Sequence, residues 1–118
     1  MLKYEVGSIE LTILDAGPYY MDGGVLFGVV PRKLWAGVMP PDEDNRVKMS
    51  THPLLIRTSK HIIVVDSGYG NKLSEKIRQN YGVTGDDDLL GELAAAGVEP
   101  EDVDTVILTH LHFDHAGG

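Results

Sequence analysis

Hydrophobic and polar positions alternate from the start of the chain. Between Ser8 and Leu14, Ile9, Leu11 and Ile13 fall on one side and Glu10 and Thr12 on the other, the period-two pattern of a half-buried strand. Leu2 to Val6 lies just before it across Gly7-Ser8 and is its expected partner. Val25 to Val30 is a further apolar, β-prone run, preceded by Met21-Asp22-Gly23-Gly24 and stopped by Pro31. Pro31 to Ser50 contains Pro40-Pro41 and the charge cluster Asp42 to Arg46, and predicts a long surface loop. Leu54 to Thr58 and His61 to Val65 flank Ser59-Lys60 as the strands of a tight hairpin. The second of these strands runs into the glycine-rich turn Asp66-Ser67-Gly68-Tyr69-Gly70.

The period then changes. Leu73, Ile77 and Tyr81 recur every four residues as one helical face, with Gly82 as the stop. A second helix is announced by Asp86-Asp87-Asp88, whose carboxylates suit the positive end of a helix dipole. Leu89, Leu90, Leu93 and Ala94 are its expected buried face, and Gly97 closes it. After a short turn at Pro100, Asp104 to Thr109 reads as a buried strand that leads directly into a group of histidines. Strands followed by helix, helix and strand predict a layered α/β fold, α+β in arrangement, with a sheet whose second face still needs covering.

Composition narrows the function. The 118 residues are 42% hydrophobic and 24% charged, with a net charge of −8, an ordinary globular balance. So acidic a surface repels phosphate backbones, which argues against nucleic acid as a partner. The apolar runs are too short to span a bilayer. Met1 to Val6 lacks the apolar core and cleavage site of a secretory signal, so the expected compartment is the cytoplasm. There is no cysteine. That removes disulfides, thiol nucleophiles and thiolate metal ligands, and any metal must be held by histidine and carboxylate.

Such a group exists. His110, His112, Asp114 and His115 fall within six residues at the end of the last strand. In an extended segment His110 and His112 share one side; after a bend, Asp114 and His115 can turn toward a second point. Imidazole and carboxylate without thiolate suit zinc, with manganese, iron or cobalt as substitutes. Two ions about 3.5–4 Å apart would account for four ligands in so short a stretch. A metal lowers the pKa of its bound water from 15.7 towards about 7, which provides hydroxide at neutral pH, and it polarises a carbonyl under attack. Asp114 is then the candidate catalytic residue, steering the water and passing a proton to the leaving oxygen. The plainer alternative is histidines that cap backbone groups or are simply solvated.

The run His110 to His115 is the H-x-H-x-D-H signature of the metallo-β-lactamase superfamily, and Val64-Val65-Asp66-Ser67-Gly68 resembles that superfamily's strand ending in an Asp-x-Gly turn. More narrowly, Asp22 to Pro31 and Gly70-Asn71-Lys72-Leu73 resemble its quorum-quenching branch, which includes enzymes acting on N-acyl-homoserine lactones. The resemblance implies the N-terminal half of an αββα sandwich, with residues 1–118 as the first part of a single domain that ends after the metal motif. It implies His110 and His112 on a first zinc, Asp114 and His115 on a second, and Asp66 beside the site orienting a ligand, the alternative for Asp66 being a turn cap. The family's further histidine, bridging aspartate and last histidine cannot be assigned within residues 1–118. His52 and His61 are read as structural. Met21 and Phe27 are candidates for an acyl pocket, with core packing as the alternative.

The implied activity is hydrolysis of a lactone or related ester, with a small molecule as partner. Other superfamily substrates (a β-lactam, thioester or phosphodiester) and a non-catalytic metal-binding role remain the alternatives. An uncovered apolar sheet face predicts either a longer protein that covers it or a pair of copies.

Overall fold

The computed structural model describes residues 1–118. The chain divides into two compact units, one of Met1–Gly17, Ser50–Leu73 and Gly85–Gly118, the other of Pro18–Met49 and Ser74–Thr84.

The first unit is built on a five-stranded sheet. Its strands are β1 (Leu2–Val6), β2 (Ile9–Ile13), β5 (Leu54–Arg57), β6 (Ile62–Val65) and β7 (Thr105–Ile107), in the order β1-β2-β5-β6-β7. The expected pairing of Leu2–Val6 with the next strand is present, with Leu2 opposite Ile13 and Val6 opposite Ile9. The 54–65 hairpin is also as expected, Leu54 opposite Val65 and Arg57 opposite Ile62. The register of β2, β5 and β6 carries Thr12, Leu55 and Val64 onto one face. There Leu14, Ala16, Leu55 and Val64 form a buried cluster with Leu89 and Leu93 of α4 (Leu89–Ala95) and with Val98.

Three expectations are corrected in this unit. The buried side of this segment is Thr12 in β2 and Leu14 just after it, whereas Ile9, Leu11 and Ile13 point to the other face. That face carries an apolar row through all five strands, Leu2, Ile13, Leu54, Val65 and Ile107. It is exposed at both edges, 59% at Leu2 and 46% at Ile107. The alternation was therefore real, but α4 packs on the opposite side. Similarly, β7 is an edge strand with all three residues exposed, not a buried one. In α4, only Leu89 and Leu93 are buried; Leu90 and Ala94 face outward, because a seven-residue helix lying on a sheet buries a single narrow stripe.

Most of β3 (Gly17–Asp22) and β4 (Arg46–Thr51), which pair with each other, lies in the second unit. The expected strand at Val25–Val30 is instead the helix α1 (Gly23–Phe27) followed by a turn. The cause is local: Asp22 Oδ1 accepts from the backbone N–H of Gly24 and Val25, an N-cap that overrides the β propensity of Val25. The expected long loop holds α2 (Arg32–Trp35) and most of β4. Phe27 stacks on Trp35 at 4.7 Å, and a Cβ at Gly23 would run into the same indole. Phe27 thus has a packing role, while Met21 is half-buried in β3. The helix α3 (Glu75–Asn80) is capped by Ser74, and Gly82 follows it at φ +59°.

Two predictions follow from packing and charge in these units. Leu55 is fully buried at the centre of the first unit's core, so Leu55→Ala should cost roughly 2–5 kcal/mol in a denaturant titration of the full-length protein. A loss below about 1 kcal/mol would place the stability elsewhere. Asp42 accepts from the Arg46 and Asp44 amides and from the Arg46 side chain. The Arg46 amide first, with burial opposing and the Arg46 guanidinium assisting, holds its pKa below 3.8. A depressed carboxylate stabilises the turn fully above the unfolded pKa, and the effect disappears as pH falls through the lower folded value. A carboxyl-carbon NMR titration should therefore give Asp42 a midpoint below 3.8; a midpoint at or above it would contradict the turn.

Candidate metal centre

Parallel pairing of β6 with β7, Val65 opposite Ile107, makes both strands end at the same edge of the sheet. The segments that leave there are the glycine-rich turn after β6 and the histidine run after β7. The two loops therefore leave the sheet side by side. The two segments are stitched together by backbone bonds: Asp66 N–H to the Ile107 carbonyl at 2.8 Å, Ser67 N–H to the His115 carbonyl at 2.8 Å and Gly117 N–H to the Gly68 carbonyl at 2.9 Å. The turn needs unusual backbone. Asp66 sits at φ +61°, a region that few residues other than glycine, asparagine and aspartate adopt. Gly68 follows at φ +70°, where an added Cβ would also meet the Asp87 carboxylate.

Asp66 is the centre of a hydrogen-bond cluster. Its Oδ1 accepts from the Thr109 backbone N–H at 2.8 Å, and both its oxygens lie 2.9 Å from the Thr109 hydroxyl. Its Oδ2 is 2.7 Å from His115 Nδ1. Burial alone would raise the Asp66 pKa, but the bonds from His115 and Thr109 outweigh it and hold the carboxyl below its ordinary value.

The four residues of the histidine run gather beyond this carboxylate. His115 and Asp114 lie in the short helix α5 (Phe113–Ala116), with His112 at its start. The His110 ring is 4.8 Å from that of His112 and 4.1 Å from that of His115, centre to centre. His115 Nε2 lies 3.3 Å from Asp114 Oδ2, and Asp114 is buried. No three of the histidine and acidic side chains converge on one point as a formed metal site does.

The donor chemistry of the pair nevertheless fits a cation. With Nδ1–H given to Asp66, a neutral His115 ring turns the bare lone pair of Nε2 towards a carboxylate oxygen. Two acceptors at that distance repel unless a proton or a cation lies between them. Two ligand atoms about 2.0–2.1 Å from a tetrahedral zinc stand about 3.3–3.4 Å apart, which is the separation found. A proton or a metal cation between the two atoms would satisfy the contact.

The other histidines take structural roles, as their sequence context suggested. His52 Nδ1 bonds the Leu14 carbonyl at 3.0 Å, and His61 pairs with Asp104 at 3.1 Å on the surface. Two residues were missed by sequence reasoning. Thr109 bridges Asp66 and His110, and Asp87 accepts the Gly70 N–H beneath the turn. Thr109 immediately precedes the first histidine, but nothing in the pattern marks its hydroxyl as more than a strand-end threonine. Asp87 lay within a charge run read as a helix start.

Residues 48–118 match the Metallo-beta-lactamase superfamily. The chain belongs to that superfamily. Solved structures with the same fold include a probable metal-dependent hydrolase from Staphylococcus aureus, 41% identical with a TM-score of 0.90 over 98% of this chain and 42% of that one. A hydrolase of the β-lactamase superfamily, AbOPH, is 29% identical with a TM-score of 0.73, over 96% of this chain and 36% of that one. AidC, a dizinc quorum-quenching lactonase solved in complex with the product N-hexanoyl-L-homoserine, is 27% identical, also at 0.73, over 99% and 38%. This chain therefore spans about two fifths of the length of these neighbours. No helix in it is long and apolar enough to cross a membrane.

Asparagine tolerates the backbone of position 66 and is nearly the shape of aspartate, but carries no charge. If the histidine run holds a metal, Asp66→Asn in the full-length protein should leave thermal stability within a few degrees and weaken zinc uptake about 10–100-fold in calorimetry. Unchanged affinity would show that the carboxylate only caps a turn.

Proposed function

We propose that the protein is a metal-dependent hydrolase, using two zinc ions to open a lactone or a related ester. The observation that carries this reading is the facing pair His115 Nε2 and Asp114 Oδ2, 3.3 Å apart, with Asp66 fixing the far side of the histidine ring. Superfamily membership supports it, as does similarity to a probable metal-dependent hydrolase and to a dizinc lactonase.

In this reading His110 and His112 hold one ion, Asp114 and His115 hold the other, and manganese, iron or cobalt are substitutes by ligand type. Bound zinc supplies Lewis acidity, polarising the ester carbonyl and making water acidic enough to attack at neutral pH. The chain's own residues arrange the rest. Asp66 orients the His115 ring. Asp114, buried beside it, is placed to take a proton from the attacking water and pass it to the ester's leaving oxygen as the acyl C–O bond breaks. The substrate is a small molecule, and the net charge of −8 works against a polyanionic one.

The test uses the full-length protein. Metal analysis should find about two zinc equivalents per chain, and turnover of N-acyl-homoserine lactones should cease with a chelator and return with zinc. Absence of a bound transition metal would overturn the proposal. Turnover of a β-lactam, thioester or phosphodiester instead would keep the metals and replace the substrate; bound zinc without any turnover would leave a metal-binding domain. Asp114→Ala should lower kcat by roughly 10²–10⁴-fold, with zinc content measured in parallel to separate lost ligation from lost proton transfer. Retained activity would remove Asp114 from the chemistry.

A further inference from the structure

We infer that Thr109 is a positioning residue for His110: its hydroxyl donates to the Asp66 carboxylate and accepts from His110 Nδ1–H, which leaves His110 Nε2 bare for a metal. The functional meaning of this relay rests on the metal-centre reading above, while its hydrogen-bond logic does not.

The logic is one of counting hydrogens. The Thr109 hydroxyl oxygen lies 2.9 Å from each Asp66 oxygen and 3.0 Å from His110 Nδ1. A hydroxyl has one hydrogen and two lone pairs, and an ionised carboxylate has only acceptors. Were the hydrogen directed to His110, two carboxylate oxygens would face the hydroxyl oxygen at 2.9 Å with no hydrogen between them. Directed to Asp66, it makes a charge-assisted bond, the stronger of the two choices. A lone pair of the hydroxyl then faces His110 Nδ1, and that contact is favourable only if Nδ1 carries the ring's hydrogen. A neutral imidazole has a single N–H, so Nε2 becomes the lone-pair atom.

The same carboxylate receives His115 Nδ1 at 2.7 Å. One anion therefore sets two imidazoles in the same tautomer, His115 directly and His110 through the threonine. The Thr109 backbone N–H, bound to Asp66 Oδ1 at 2.8 Å, holds the hydroxyl in place for this role. Partners of this kind fix ring orientation and basicity at metal sites and commonly change affinity 10–100-fold when removed.

The tautomers can be read directly. In the metal-free full-length protein with ¹⁵N-labelled histidine, at about pH 8 and so above the ordinary imidazole pKa of about 6.5, long-range ¹⁵N–¹H correlation should show His110 as Nδ1–H. Thr109→Val, the same shape without a hydroxyl, should move His110 towards Nε2–H, and Thr109→Ser should restore Nδ1–H. His115 should remain Nδ1–H in all three. Zinc titration should show Thr109→Val about 10-fold weaker or more and Thr109→Ser close to the parent. An Nε2–H His110 in the parent protein, or a tautomer unmoved by Thr109→Val, would overturn the relay. If the valine variant does not fold, the parent and serine spectra still decide the tautomer. Correct tautomers without zinc binding would sink the hydrolase reading and leave the relay standing; zinc binding with an Nε2–H His110 would sink the relay alone.

Discussion

Asp66 ties the two segments of the site together through a single carboxylate. Its oxygens take the Thr109 amide, the Thr109 hydroxyl and the His115 ring, so the loop after β6 cannot shift without dragging the histidine run after β7. Taking a carboxylate partly out of water is unfavourable, and here the bonds from its neighbours outweigh that penalty and keep it ionised. An anion held in this way is a fixed electrostatic point. The Thr109 N–H and hydroxyl and the His115 ring orient toward it. The parallel register of β6 and β7 is what delivers both segments to that point, and the Gly68 backbone is what lets the turn close beneath it.

The sheet beneath the site has two unlike faces. One packs on α4 through Leu55, Val64, Leu89 and Leu93 and supplies the rigid base from which the loops project. The other shows apolar residues on every strand, from Leu2 to Ile107, and stays open to a large degree. A layered α/β fold needs both faces covered.

Much of this was legible in the chain. The strand pairs at 2–13 and 54–65 could be seen because period-two alternation and short polar turns are local signals. So could the helix stops at Gly82 and Gly97, both at positive φ. The motif His110 to His115 was visible because four ligand-type residues in six positions are rare. What failed was anything that depended on which side a layer lies. The alternation of Ile9, Leu11 and Ile13 marks an apolar face but does not say whether α4 sits on it, and it does not. Val25 has a β preference, but the cap that Asp22 supplies places it in a helix. Thr109 stayed hidden because a hydroxyl's importance depends on the two atoms it sits between, and one of them is 43 residues away.

The left-handed backbone at Asp66 narrows what sequence drift can do there. Asparagine and glycine share its conformational tolerance but are neutral; glutamate shares the charge but is a longer side chain, less suited to φ near +61°. Only aspartate meets the steric and the electrostatic demand together. A substitution there gives up either the left-handed turn or the charge that receives the His115 ring.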